Sequence, residues 1–238
     1  MKNNTNDLFE FHCVGEGAVI LYARSGDISE KNSVCRAFTQ SAFNQQRPNW
    51  LYDVVPSYDS VMLHFDGMNV DQHDVFQWLS SLKIKTDIST DINRLTLPIC
   101  YSLDSENDLA DIAKRTQLSK DEVVGLHSSS CYQVYAVGFA PGFAYMGFVP
   151  EQLAVPRKNT PRVSVPKGAV AIADAQTAIY PASSPGGWNI VGYCPLNLVT
   201  PEYKKVSPFD VGQQVGFEVI DANEYKKREG MPWYEANS

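Results

Sequence analysis

Residues 137–195 read VGFAPGFAYMGFVPEQLAVPRKNTPRVSVPKGAVAIADAQTAIYPASSPGGWNIVGYCP, and they hold 8 of the chain's 14 prolines and 7 of its 15 glycines. Proline fixes φ and glycine admits positive φ, so this backbone is set residue by residue rather than by a repeating hydrophobic period. Short β-branched and aromatic runs lie between those punctuating residues. Strands are expected at 162–165, 169–173, 177–180 and 188–193, with flanking strands at 132–139 and 216–220. Many short strands cut by Pro and Gly mark a closed or strongly curved sheet. The charge of the stretch also stands apart: Arg157, Lys158, Arg162 and Lys167 face only Glu151 and Asp174, a balance of +2 in a chain of formal net charge −7. A basic, glycine-rich island on an acidic protein suits an anionic small molecule, or a carboxylate on a partner.

Upstream of the island, 95–101 (LTLPICY) reads as a strand, 108–115 as a short helix and 119–127 as another. Ser119 caps the second helix, and Glu122 at its third position closes a capping box. The first third of the chain has a different texture. Residues 9–22 form a strand, a Gly15-Glu16-Gly17 turn and a second strand, and 28–46 carry apolar residues at helical spacing. Residues 50–65 alternate as a hairpin broken at Pro56-Ser57-Tyr58-Asp59, and 71–82 form a helix opened by an Asp71 cap. The predicted order is βαββα, a small α+β domain whose antiparallel sheet carries its helices on one side. Residues 83–93 are polar and lack a period, which puts the boundary between a small α+β domain at 1–88 and a mainly β barrel domain at 89–238. The last stretch, KKREGMPWYEANS, reads as a short helix and tail.

Composition narrows the function classes. With 44% hydrophobic and 20% charged residues, the chain is an ordinary globular protein. No apolar run approaches the roughly 20 residues that cross a bilayer, and the N-terminal segment lacks a signal-peptide core, so the cytoplasm is the expected address. Five scattered cysteines point to reduced thiols. An acidic pI of about 5.1 argues against sequence-independent nucleic-acid binding. No GxxxxGK[ST] or GxGxxG loop is present, so no cofactor is expected on this chain and any ATP must be bound elsewhere. The four histidines show no metal-ligand spacing, and no GxSxG elbow aims a nucleophile.

Within the island, three constellations carry candidate chemistry. Phe139, Pro141, Gly142 and Phe143 belong to a run of glycines among aromatics, either a loop plugging a barrel end or one wall of a ligand site. Arg157 and Arg162 flank Thr160-Pro161. They are solvated loop charges or a fork for one carboxylate. Tyr180, Ser184, Pro185, Gly186, Gly187 and Trp188 either present amides as an anion nest or form a turn on which Trp188 packs. His127, near a helix end, is explained more simply by the helix dipole than as a general base. Among the thiols Cys194, inside the island, alone invites a functional reading.

Three strings, GFAPGFAYM, the PR…TPR…VPKG run from Pro156 to Gly168, and QTAIYPASSPGGWNIVG, closely resemble the allophanate hydrolase subunit 1 family, also called the Kip-inhibitor family. LPICY, DLADIAKRTQLSKDEVVGLH and the weaker GEGAVILY and VVPSYDSVMLHF extend the resemblance over nearly the whole chain. The resemblance implies a cyclophilin-like β-barrel behind a small α+β domain. Bacterial members are the B subunit of ATP-dependent 5-oxoprolinase, which acts with a homologous C subunit, and with an A subunit, to open 5-oxo-L-proline to L-glutamate. It also implies substrate contact at the island, ATP used by the complex rather than bound by this chain, and no assigned catalytic residue. Other members of the family suggest an inhibitor of a sensor histidine kinase, or one component of a related amide or urea-derivative hydrolase or carboxyltransferase. A prolyl isomerase would rest on the barrel alone. The chain departs from the family pattern at Tyr193 and Cys194, where an Arg-Thr pair is usual, and at Gln213-Gln214, where the usual acid is missing.

Overall fold

Alternating burial along four strands builds the first of two units, 1–91. The structure is a computed structural model describing residues 2–45, 47–85, 94–103 and 107–236. In the first unit the elements run β1 (Lys2–Asn4), α1 (Thr5–Leu8), β2 (Phe9–Val14), β3 (Ala18–Ala23), α2 (Ile28–Asn44), β4 (Leu51–Pro56), β5 (Ser60–Phe65), α3 (Gln72–Ser81) and β6 (Lys83–Lys85). The main sheet has the antiparallel order β2-β3-β5-β4. Val19, Leu21, Val61 and Leu63 alternate onto one face and share a core with Cys35, Phe38, Val75 and Leu79 of α2 and α3. Both helices open at aspartates, Asp27 and Asp71, each closing a capping box with the acid three residues on. The left-handed turn between β2 and β3 falls on Gly15 at φ +63°.

Two expectations need correction here. The two strands read at 9–22 pair as a hairpin, so the order βαββα was one strand short and the sheet and its helices run ββαββα. The polar segment placed at the domain boundary begins with β6, which pairs antiparallel with β1, Lys2 opposite Lys85. Polarity hid both strands, because so short a polar run shows no alternation. The boundary expected at 88/89 itself lies outside the described residues.

The second unit, 92–238, runs β7 (Leu95–Ile99), α4 (Leu109–Thr116), α5 (Lys120–Ser129), β8 (Cys131–Val137), β9 (Ala144–Gly147), a 3-10 turn (Glu151–Leu153), β10 (Arg162–Val165), β11 (Ala169–Ala173), β12 (Gln176–Ile179), β13 (Ser184–Gly186), β14 (Asn189–Tyr193), β15 (Gln214–Val219) and α6 (Ala222–Arg228). Seven strands form one sheet in the order β14-β11-β12-β9-β8-β15-β7, antiparallel except for the β15–β7 pair. Its two edges meet. Cys100, just after β7, exchanges two backbone hydrogen bonds of 2.9 Å with Tyr193 of β14. The sheet is therefore a nearly closed barrel, as the Pro- and Gly-cut runs and the family resemblance both predict.

Strand β11 is buried on both faces, and its two faces differ in size. Val170 and Ile172 join a large cluster with Leu97, Val134, Met146, Ile179, Val191 and the helical residues Ile112 and Val123. Ala169, Ala171 and Ala173, with Ala178 of β12, face the other way. Small side chains leave room there for large rings, and Phe143, Tyr180 and Trp188 occupy it. Two strands escaped sequence reading, β9 and β13. The first continues directly from the glycine-aromatic loop, and the second contains a proline, which normally demotes a strand.

His127 is buried and its environment overturns the helix-dipole reading. Its Nδ1 lies 2.8 Å from the Tyr101 hydroxyl and its Nε2 2.9 Å from Thr177 Oγ1, while Phe217 stacks on the ring at 5.0 Å. Thr177 Oγ1 donates to the Ala171 carbonyl, so it accepts from Nε2–H and leaves Nδ1 to accept from Tyr101. Burial pushes the imidazole pKa down to about 3. A neutral ring has no charge to offer a helix dipole. Among the described residues, no helix is long and apolar enough to cross a membrane.

Candidate functional site

The island residues converge on the alanine face of the barrel sheet. Gly142 at φ +76° turns the chain after Pro141, and a Cβ there would fall 2.5 Å from Val199 Cγ2. This turn buries Phe143 and leaves Phe139, itself at φ +74°, exposed. Phe143 then makes edge-on contacts with Tyr145, Tyr180 and Trp188 at 4.9, 5.3 and 5.9 Å between ring centroids. The cluster is both a core and a wall, since Tyr145 is half-buried and Phe139 extends the row outward with a 5.2 Å contact to Phe143. Tyr180 is held from the other side by Gly186, where a Cβ would overlap the Tyr180 hydroxyl oxygen. Burial raises the Tyr180 pKa, although the Arg157 and Arg162 charges pull it back.

The two arginines separate in role. Arg157 lies mostly exposed, its guanidinium 5.7 Å from the Trp188 ring centroid and 3.9 Å from Asp174. Arg162, on β10, is 23% exposed and ion-paired to Asp108 at 2.8 Å. The fork drawn from Arg157 and Arg162 alone thus gains a third member, because Arg162 also pairs with a carboxylate of the protein. Lys158 meets the same Asp108 oxygen at 2.6 Å, and the other oxygen accepts the Ile190 amide at 2.7 Å. Asp108 is 7% exposed. Its burial raises the carboxyl pKa, but hydrogen bonds from Arg162, Lys158 and the Ile190 amide outweigh that and hold it below the usual carboxylate range.

The segment considered as an anion nest is strand β13, paired with β10 through Arg162 opposite Gly186 and Val165 opposite Ser184. Gly187 presents its carbonyl, which accepts the Lys158 amide at 2.7 Å. Ser184 is half-buried and Pro185 exposed on this ribbon, while Trp188 packs as the turn reading proposed. Phe143, Arg157, Arg162, Tyr180, Gly186, Gly187 and Trp188 therefore assemble, with Phe139 at the margin and Pro141 exposed. Cys194 sits in the core with its thiol pKa pushed up to about 12 by burial, so it is no nucleophile. Asp108 and Lys158 were missed as site residues. No sequence signal marked Asp108: that an aspartate at a helix start makes no cap hydrogen bond is something only coordinates reveal.

Residues 9–209 match the family described as "Carboxyltransferase domain, subdomain C and D". A Bacillus subtilis protein, named as the B subunit of 5-oxoprolinase, is 31% identical over 230 residues, covering 91% of this chain and 95% of that one. The chain belongs to the 5-oxoprolinase B-subunit family. The solved structure of TTHA0988 is similar at a TM-score of 0.76 and 31% identity, covering 86% of this chain; the chain spans only 40% of that longer protein. Kluyveromyces lactis urea amidolyase shares the fold at a TM-score of 0.71 and 16% identity, over 92% of this chain and 15% of that one. Tyr193 and Cys194, singled out in the sequence analysis, are both buried. Tyr193 shares the alanine-face cluster with Phe143, Tyr180 and Trp188, and Cys194 lies in the larger core.

Proposed function

We propose that this chain is the B subunit of an ATP-dependent 5-oxoprolinase, contributing the substrate-facing wall of a complex with the homologous C subunit and with the A subunit. The observation that carries the reading is the aromatic wall ending in Arg157 over Trp188, beside the buried Asp108 and its half-buried partners Lys158 and Arg162. 5-Oxo-L-proline is a small lactam ring bearing one carboxylate. The exposed Phe139 and half-buried Tyr145 at the edge of the aromatic cluster suit the ring, and the exposed guanidinium of Arg157 suits the carboxylate. Relatives named for the same 5-oxoprolinase component support the assignment. The chain's residues would bind and orient the lactam, and ATP is used by the complex to drive ring opening to L-glutamate. No group of this chain is assigned as acid or base: His127 is buried and hydrogen-bonded on both nitrogens, and Cys194 is sealed in the core.

The test is reconstitution. This chain, co-purified with homologues of the A and C subunits from the same genome, should form ADP and glutamate from 5-oxo-L-proline, with all three proteins required. A stable complex that turns over another lactam or amide instead would replace the substrate; absence of any complex would remove the reading.

A further inference from the structure

Asp108 occupies the N-cap position of α4, yet its carboxylate caps nothing there. It reaches across the fold instead. One oxygen accepts from Lys158 Nζ and Arg162 Nη2, the other from the Ile190 amide, and the Asp108 amide donates to the Ile190 carbonyl at 2.6 Å. A single carboxylate thus ties the start of α4, the loop before β10, β10 itself and β14 at one point. Lys158 and Arg162 are 28% and 23% exposed, so neither side chain is sealed from solvent. Both belong to the net basic stretch that also carries Arg157.

We propose that Asp108 is a positioning residue: it holds Lys158 and Arg162 in register with Arg157 so that the three cations receive an anionic substrate together. The proposal rests on the assignment of this site to 5-oxo-L-proline binding. Two ordered cations on long side chains would otherwise lose rotamer freedom at the moment of binding, and a buried, backbone-anchored carboxylate removes that cost in advance.

Charge and geometry predict opposite outcomes, which makes the idea testable. Asp108→Asn removes a negative charge beside the site, so electrostatics alone would tighten binding of an anion and lower KM. Positioning predicts the reverse: in the reconstituted complex KM for 5-oxo-L-proline rises on the order of tenfold or more, with kcat held within about threefold. Asp108→Glu keeps the charge but displaces it by one methylene, so KM should rise there too. It carries the same test if the Asn variant is not recovered folded. A second readout needs no turnover: labelling of Lys158 by acetic anhydride, followed by mass spectrometry of the whole chain, should be slow in the wild type and reach surface-lysine rates in Asp108→Asn. An active wild-type complex whose variants keep or lower KM overturns the positioning role and leaves the functional reading standing. If the wild-type complex does not turn over 5-oxo-L-proline, that reading fails, and Lys158 labelling decides the positioning: acceleration supports it, and unchanged protection overturns it.

Discussion

At the scale of single residues, the site separates groups that are ordered from groups that are available. Arg157 is available: its contacts are an exposed 3.9 Å ion pair and a ring at 5.7 Å, worth together no more than about 1 kcal/mol. Arg157→Ala should therefore leave the melting temperature nearly unchanged while raising KM for 5-oxo-L-proline roughly ten- to a hundredfold, the equivalent of a lost charge-assisted hydrogen bond; unchanged kinetics in the assembled complex would count against its role. Gly186 is the opposite case. A methyl there collides with the Tyr180 hydroxyl, and the ring cannot retreat through Phe143. Gly186→Ala should cost about 1–3 kcal/mol by overpacking, read as a lower urea midpoint, and should raise KM as the wall shifts. The arginines and the aromatics were legible in sequence because rigid Pro- and Gly-bounded turns single them out. Asp108 was not, since nothing local distinguishes an aspartate that caps a helix from one that reaches β14.

At the scale of elements, the helix starts were readable and the short strands were not. Three capping boxes form, at Asp27, Asp71 and Ser119, and the caps at Asp71 and Ser119 were legible in sequence because capping is satisfied within four residues. Ser119 Oγ accepts the Glu122 amide at 3.2 Å while Glu122 returns to the Ser119 amide at 2.7 Å. Ser119→Ala should destabilise the second unit by about 1 kcal/mol, measured by thermal melting. A null result there would mean that packing of Val123 alone fixes α5. Strands β1, β6 and β13 escaped because a three-residue strand has too little length for alternation to register. Their existence is decided by a partner far away in sequence, Lys2 by Lys85 and Arg162 by Gly186.

For the whole molecule, the buried neutral His127 sets a pH dependence. An unfolded chain protonates this imidazole near its ordinary value of 6.5, whereas the native protein resists until about pH 3. In that window the unfolded state binds more protons, so stability is full above pH 6.5 and falls as pH drops, by at most about 1.4 kcal/mol per unit. Asp108, whose pKa is lowered, adds to acid loss only below the ordinary carboxylate range. Urea unfolding from pH 7.5 to 4.5 should show that slope in the wild type and a flatter one in His127→Gln; equal slopes would assign the effect to other groups. Sequence by itself determined the α+β character of the first unit, the strand-rich barrel of the second, and which loops carry charge and aromatics. Those features depend on local propensity, alternation and turn chemistry, all readable within a short window of residues. Tertiary structure alone decided that the barrel closes through Cys100 and Tyr193, that alanines on one sheet face make room for the aromatic wall, and that Arg162 belongs to Asp108 while Arg157 faces outward. Each of those depends on contacts between residues far apart along the chain, whose pairing only the folded protein can choose.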